Sequence, residues 1–348
     1  MLEPQPHNRH NPSELVARLR EVRGTTAMAG VQKAVEQLAR QVQDDRFLVS
    51  ELKQIQASQT LERAHYYVDR LIKGLTVVRT PEVSDLNLNR WKEYTEIQTD
   101  SLWIIPRRDG TGVHKADYWG NFVPQIPQQM IQRYTRAGEW VLDPFCGSGT
   151  TPIEAQRLGR HTLGVELRAD MVEHARGLIK SEPNPHSVSQ VIVQGDSSRV
   201  DLAQELKTVG ASSVQLAILH PPYFDIIQFS ENPDDLSRAT DVTNFLQRLR
   251  AVVSNVSRVL DAGRYLVLVI GDKYAEGEWI PLGFQSMQEI CNLGFSLKSI
   301  VVKNFEDTAG KRHQKELWRY RALAGGFYVF KHEYVFLFRK SPRKRSPR

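Results

Sequence analysis

Only two cysteines, Cys146 and Cys291, occur in 348 residues. That is too few for a disulfide framework or a cysteine-built zinc site, and it fits a reducing compartment, so a cytoplasmic location without a metal is expected. No apolar run reaches the roughly 18 residues a membrane span needs, and residues 1–12, polar with His, Asn and Pro, have no apolar signal core. Membrane insertion and secretion are therefore not expected. A charge excess is also scarce outside the C-terminus. The net charge is +6, and Arg339, Lys340, Arg343, Lys344, Arg345 and Arg348 alone account for it. The body is close to neutral, and the basic tail, residues 341–348, is expected to give only nonspecific electrostatic help with a polyanion.

What is present divides the chain in two. Between residues 13 and 75 apolar side chains recur three and four apart (Leu15, Leu19, Val22; Val31, Val35, Leu38, Val42; Leu61, Ala64, Val68, Leu71, Leu75), the period of amphipathic helices. Residues 1–100 are thus expected to form an all-α region: a cap, a self-association surface that would make a homodimer, or a DNA clamp. Pro81 and the polar stretch 84–100, free of repeats or low complexity, mark the connection. From 101 to 340, short β-rich runs at 140–142, 162–165, 191–193, 214–219, 265–270, 297–302 and 334–338 alternate with helical stretches. Continuous apolar strands separated by helices predict an α/β fold, a doubly wound, mostly parallel sheet covered on both faces. Between the last two strands no helix is expected, so the final strand should lie antiparallel at the end of the sheet.

The segment Trp140-Val-Leu-Asp-Pro-Phe-Cys-Gly-Ser-Gly-Thr-Thr151 reads as strand, glycine turn and helix start. Its glycines let the backbone approach a ligand that the open helix N–H groups face. Alone it is equally a plain tight turn. Two carboxylates follow at strand ends: Glu166 at the distance where such folds bind ribose hydroxyls, and Asp196 after the third strand. The fourth strand ends in His220-Pro221-Pro222-Tyr223. Two prolines fix an extended backbone and leave carbonyls free to accept, and the tyrosine ring can stack on a flat base.

These three motifs together resemble those of the amino-group DNA methyltransferases, the N-4/N-6 type, over about residues 115–340; the N-terminal helices lie outside the resemblance. It implies a Rossmann-like methyltransferase fold, S-adenosylmethionine as cofactor and transfer of its methyl group to the exocyclic nitrogen of a flipped adenine (N6) or cytosine (N4) in double-stranded DNA. Asp143, Pro144, Phe145, Gly147 and Gly149 would then surround the methionine part, Glu166 would hold the ribose, and Asp196 would lie near the adenine amino group. Asn121, Phe122 and Pro124, ahead of the first strand, match the family's additional cofactor segment. His220, Pro221, Pro222 and Tyr223 would form the base site. Two features depart from the usual pattern: His220 replaces an Asp, Asn or Ser, which leaves the base open, and the cofactor motif precedes the catalytic one, an order found in other branches of the family.

An imidazole accepts a hydrogen bond only when unprotonated, so activity is expected to fall below pH about 6.5. Cys146, in the cofactor loop, is not expected to act as a nucleophile. DNA contact is assigned to Lys311, Arg312, Lys315, Trp318, Arg319, Tyr320 and Arg321, where cations alternate with aromatic rings, and to the loop 224–241. Two alternatives stay open: methylation of RNA or a protein amide, and a non-catalytic DNA-binding subunit. The resemblance also leaves room for a restriction or defence-system partner.

Overall fold

The computed structural model describes residues 12–114, 120–304 and 315–341. The chain divides into two compact units, one running to Ile97 and the other beginning at Gln98.

Four helices make up the first unit: α1 (Pro12–Gly24), α2 (Met28–Gln41), α3 (Arg46–Gln56) and α4 (Leu61–Thr76). Each turns an apolar stripe inward. Leu19, Val22, Val31, Val35, Leu38, Val68 and Leu71 are buried together, as the helical spacing predicts. Helix α3, which was not singled out above, adds Leu48, Leu52 and Ile55. Burying side chains of this size contributes about 1.5–3 kcal/mol each. Asp45 and Thr60 cap α3 and α4 by accepting from the amides of Leu48 and Arg63. Glu51 is buried, and its carboxylate is matched by Arg70 and by Lys92 at 2.6 Å. Lys92 sits in a short 3-10 helix, Leu88–Glu93, inside the stretch read as a plain connection.

The second unit runs in order through β1 (Leu102–Trp103), α5 (Gln125–Tyr134), β2 (Trp140–Asp143), α6 (Thr150–Arg157), β3 (His161–Glu166), α7 (Ala169–Ser181), β4 (Gln190–Gln194), α8 (Leu202–Thr208) and β5 (Val214–Leu219). It continues with α9 (Val242–Val259), β6 (Leu260–Ile270), β7 (Lys273–Ala275), β8 (Glu278–Ile280), α10 (Leu282–Asn292), β9 (Phe295–Asn304), α11 (Lys315–Gly325) and β10 (His332–Lys340). Eight strands form one sheet in the order β1-β9-β10-β6-β5-β2-β3-β4, and β7 and β8 form a separate hairpin. All pairings in the large sheet are parallel except those of β10 with β6 and β9.

Alternation along the strands explains why both faces are covered. Leu216 and Ile218 of β5, Val267 and Val269 of β6 and Val335 and Leu337 of β10 pack on one side with Ile126, Met130 and Ile131 of α5. Their neighbours Ala217, Leu219, Leu266, Leu268, Phe336 and Phe338 pack on the other, against Phe245, Leu249, Val252 and Val256 of α9. The seven expected strands are all present, and the final one is antiparallel. Two expectations are corrected. β10 lies between β6 and β9 rather than at the sheet end, so its Tyr-Val-Phe-Leu-Phe run is buried on both faces as in a central strand. And helix α11 occupies part of the interval thought to lack one; it is largely exposed and so shows no apolar stripe to read.

Candidate active site

At the carboxyl ends of β2, β3, β4 and β5 a cleft of about 580 Å³ opens. Its first wall is the turn between β2 and α6. Gly147 and Gly149 adopt φ of +51° and +88°, where a Cβ is strained, and Gly149 forms the left-handed N-cap of α6. The turn is held by neighbours on the sheet: the Cys146 amide donates to the Val165 carbonyl at 3.0 Å, and the Gly147 amide donates to Glu166 Oε2 at 2.8 Å. Glu166 Oε1 accepts from the Arg168 amide at 2.9 Å. Burial pushes the Glu166 carboxyl above the usual carboxylate range against these two amide bonds. Asp196 accepts from the amide of Ser198 at 2.8 Å, and the Ser197 hydroxyl donates to the Pro144 carbonyl, tying the turn after β4 to the glycine loop.

Asp143 is 1% exposed. Its Oδ1 accepts from the Phe145 amide at 2.9 Å, and among the described residues no cationic side chain pairs with it. Burial lifts its pKa to about 6; the Thr151 hydroxyl and the Phe145 amide pull it back part of the way, and the Glu166 charge adds to the rise. Burial, then the charges of Asp143 and Glu166, hold the Cys146 thiol well above its ordinary value, so it stays protonated.

The second wall follows β5. His220 Nε2 lies 3.1 Å from the Tyr223 hydroxyl, which donates to Glu333 Oε2 at 2.6 Å. Glu333 Oε1 in turn meets Lys303 Nζ at 3.0 Å. Phe122 stacks on the His220 ring with centroids 4.7 Å apart and planes 26° from parallel. Beyond Tyr223 the backbone reverses at Phe224, with φ of +55°, and this ring is buried against Phe245. A non-glycine residue in that region costs about 1–3 kcal/mol, which the packing must offset. Burial lowers the His220 pKa to about 4; Glu333 opposes the shift and Lys303 adds to it. The expectation that His220 protonates near pH 6.5 is therefore corrected, because desolvation keeps this imidazole neutral well below that point.

The cleft gathers Asn121, Phe122, Pro144, Phe145, Gly147, Glu166 and Asp196 from the cofactor set, and His220, Pro221, Pro222 and Tyr223 from the base set. Asp143, Gly149 and Pro124 do not line it: Asp143 ends β2 behind the glycine loop, Gly149 caps α6 and Pro124 caps α5. Trp318, Arg319, Tyr320 and Arg321 lie on α11, with the Arg321 guanidinium 5.2 Å from the Trp318 ring centre. Lys311 and Arg312 fall outside the described residues, as does the side chain of Lys315. Sequence reading missed Lys303 and Glu333, which line the cleft from β9 and β10, and Arg108, whose guanidinium donates to the Phe122 carbonyl at 2.6 Å. No local motif marks any of the three. For Glu333 and Lys303 the signal is their direct opposition across two strands, visible only once the topology is known.

A family model described as DNA methylase matches residues 24–177, and one described as an RMKL-like methyltransferase domain matches residues 126–236. The first reaches into the helical unit, which the motif resemblance left out; the second runs through His220 and Tyr223. The type II methyltransferase M2.DpnII of Streptococcus pneumoniae is 32% identical over 100 residues, 27% of this chain and 34% of that protein. M.MthZI of Methanothermobacter thermautotrophicus is 34% identical over 79 residues, 23% of this chain and 21% of that protein. The chain thus spans about a third or less of the length of these curated relatives. Among solved structures, TrmN from Thermus thermophilus aligns with a TM-score of 0.41 and 16% identity over 63% of this chain and 49% of that one. Over the glycine loop and the segment before it, the chain is therefore similar to the N6/N4-type DNA methylases and to these type II methyltransferases.

Proposed function

We propose that this protein transfers a methyl group from S-adenosylmethionine to the exocyclic amino nitrogen of an adenine or cytosine in DNA. One observation carries the reading: a single cleft is walled on one side by the glycine loop with Glu166 and Asp196, and on the other by His220, Pro221, Pro222 and Tyr223. The cleft suits this cofactor in volume and in the chemistry of its donors. Glu166 keeps lone pairs for ribose hydroxyls, Asp196 stands at the end of the next strand, and Asp143 is a buried carboxylate without a cation behind the loop that would hold the methionine part.

When bound, S-adenosylmethionine supplies an electrophilic methyl on a positively charged sulfur. The protein's task is then to make an aromatic amine nucleophilic. Its lone pair is delocalised into the ring, and acceptors at His220 and at the Pro221 carbonyl would draw the amino hydrogens out of plane and localise it. Tyr223 would stack on a base turned out of the duplex. Desolvation supports His220 in this role because it keeps the ring an acceptor at neutral pH.

DNA contact is proposed for α11 and the segment before it, including Lys311, Arg312 and Lys315. The segment after the helix packs on the hairpin that follows β6, Phe327 against Tyr274 at 4.1 Å and Phe330 against Trp279 at 4.2 Å. This leaves Arg319, Tyr320 and Arg321 exposed for phosphates and bases. The test is incubation with methyl-labelled cofactor and unmethylated genomic DNA, followed by nucleoside digestion and mass spectrometry. Labelled N6-methyladenine or N4-methylcytosine, lost in His220→Ala, supports the reading and names the base. Label in RNA or protein but not in DNA overturns it.

A further inference from the structure

We infer that Glu333 and Tyr223 are positioning residues that lock His220 as the tautomer carrying its hydrogen on Nε2, leaving Nδ1 as the bare acceptor that meets the substrate amino group. The inference rests on the methyl-transfer reading only for the identity of that last group. The lock follows from counting hydrogens. Glu333 and Lys303 face each other across β10 and β9, their side chains 4% and 6% exposed and their charged atoms 3.0 Å apart. A carboxylate offers lone pairs only, so the hydrogen in the 2.6 Å contact between Glu333 Oε2 and the Tyr223 oxygen belongs to tyrosine. A hydroxyl has one hydrogen. With it committed to Glu333, the tyrosine oxygen acts toward His220 Nε2, 3.1 Å away, as an acceptor, and Nε2 must donate.

The opposite arrangement would turn the tyrosine hydrogen toward Nε2 and set two oxygens lone pair to lone pair at hydrogen-bond distance, inside a buried site where an unsatisfied carboxylate is expensive. Burial, and then the Glu333 charge, keeps the Tyr223 hydroxyl protonated far above pH 7. Burial likewise keeps His220 neutral, so only one of its nitrogens carries hydrogen. Phe122 stacks on the ring and fixes its plane. Nδ1 makes no hydrogen bond among the described residues, and His220 lines the cleft.

The same geometry accounts for histidine at this position. Nδ1 is two bonds from Cβ, as is Oδ1 of an asparagine or aspartate. A glutamine carries its oxygen one bond farther out, at the depth of Nε2. A histidine locked with Nδ1 bare therefore presents an acceptor where a shorter amide would, and needs Tyr223 and Glu333 to do so.

Two measurements on the full-length protein test this. Proton-detected nitrogen correlation spectra of histidine-labelled protein distinguish bare from protonated ring nitrogens, and His220, one of 10 histidines, is identified by its absence from His220→Asn. At pH 7 the inferred pattern is a protonated Nε2 and a bare Nδ1, with mixed signals in Tyr223→Phe. A protonated Nδ1 in the parent protein overturns the inference. In methyl transfer, His220→Asn should stay within about tenfold of the parent kcat and His220→Gln should fall about a hundredfold or more, the range for losing an aligned hydrogen bond in a transition state. Tyr223→Phe should lower kcat about tenfold, with little change in the KM for DNA, and have almost no further effect in the His220→Asn background. A glutamine variant as active as the asparagine one, or additive effects, overturns the inference. The inferred tautomer in a protein that methylates no DNA overturns the functional reading and leaves this one standing.

Discussion

Asp143→Asn should stabilise the protein at pH 7.5 while weakening cofactor binding. The carboxyl is fully enclosed, its pKa stands at about 6 against 3.8 for the free group, and no cationic side chain among the described residues pairs with it. At about 1.4 kcal/mol per tenfold change in proton affinity, holding it ionised above pH 6 costs the native state about 3 kcal/mol. The sign follows from linkage. The folded value is raised, so the native chain binds the proton more tightly than the unfolded one; the penalty is complete above pH 6 and vanishes as pH falls below 3.8. Asparagine keeps the acceptor for the Phe145 amide and has no charge to bury. Thermal unfolding without cofactor should then show the variant about 6–12 °C more stable at pH 7.5, shrinking toward zero near pH 4. Calorimetric titration with S-adenosylmethionine should show at least a roughly tenfold loss of affinity, since the buried charge behind the loop proposed to hold the methionine part would otherwise attract the cofactor's cationic groups. A variant destabilised equally at both pH values would refute the reasoning, because Asp143 would then serve as a hydrogen-bonding strut and not as a stored charge.

The pH–rate profile should separate the two buried groups: kcat stays flat from pH 8 to about 5 because His220 remains neutral down to about 4, while kcat/KM for cofactor falls below about 6 as Asp143 takes up its proton. Gly271→Ala places a Cβ 3.0 Å from the Tyr223 ring. Steady-state assays should find kcat down roughly tenfold with cofactor affinity unchanged, since a small displacement of the proposed base site is enough to spoil alignment. Arg319→Ala and Arg321→Ala should each weaken DNA binding at all sequences alike and reduce the slope of log affinity against log salt by about one, measured by fluorescence anisotropy.

The features legible in the sequence are those whose cause is local. A β-strand buried on both faces must be apolar throughout, so the parallel strands announce themselves, and a turn that needs positive φ favours glycine, so Gly147 and Gly149 do too. Glu333 and Lys303 are hidden for the opposite reason. Each is a single charge at the end of an apolar run, the usual signature of a strand emerging into water. They become a buried pair only because β10 inserts between β6 and β9 instead of adding to the edge. Nor could composition find α11, since a helix that buries no continuous stripe leaves no period.

Asn121 and Phe122 join the two halves of the cleft. Ser148 of the glycine loop donates to Asn121 Oδ1 at 2.7 Å, and the next residue, Phe122, stacks on His220. Adjacent residues thus touch the proposed cofactor loop and the proposed base acceptor, and Arg108 braces the same backbone through the Phe122 carbonyl. A shift of the glycine loop on binding cofactor would therefore be felt at the plane of the imidazole through one short, rigid segment. With Nε2 tied to Tyr223 and the ring face held by Phe122, His220 has no independent freedom to follow a misplaced base. The proposed acceptor is thus ordered before a substrate would arrive, and the cost of that order is borne by folding and not by each turnover.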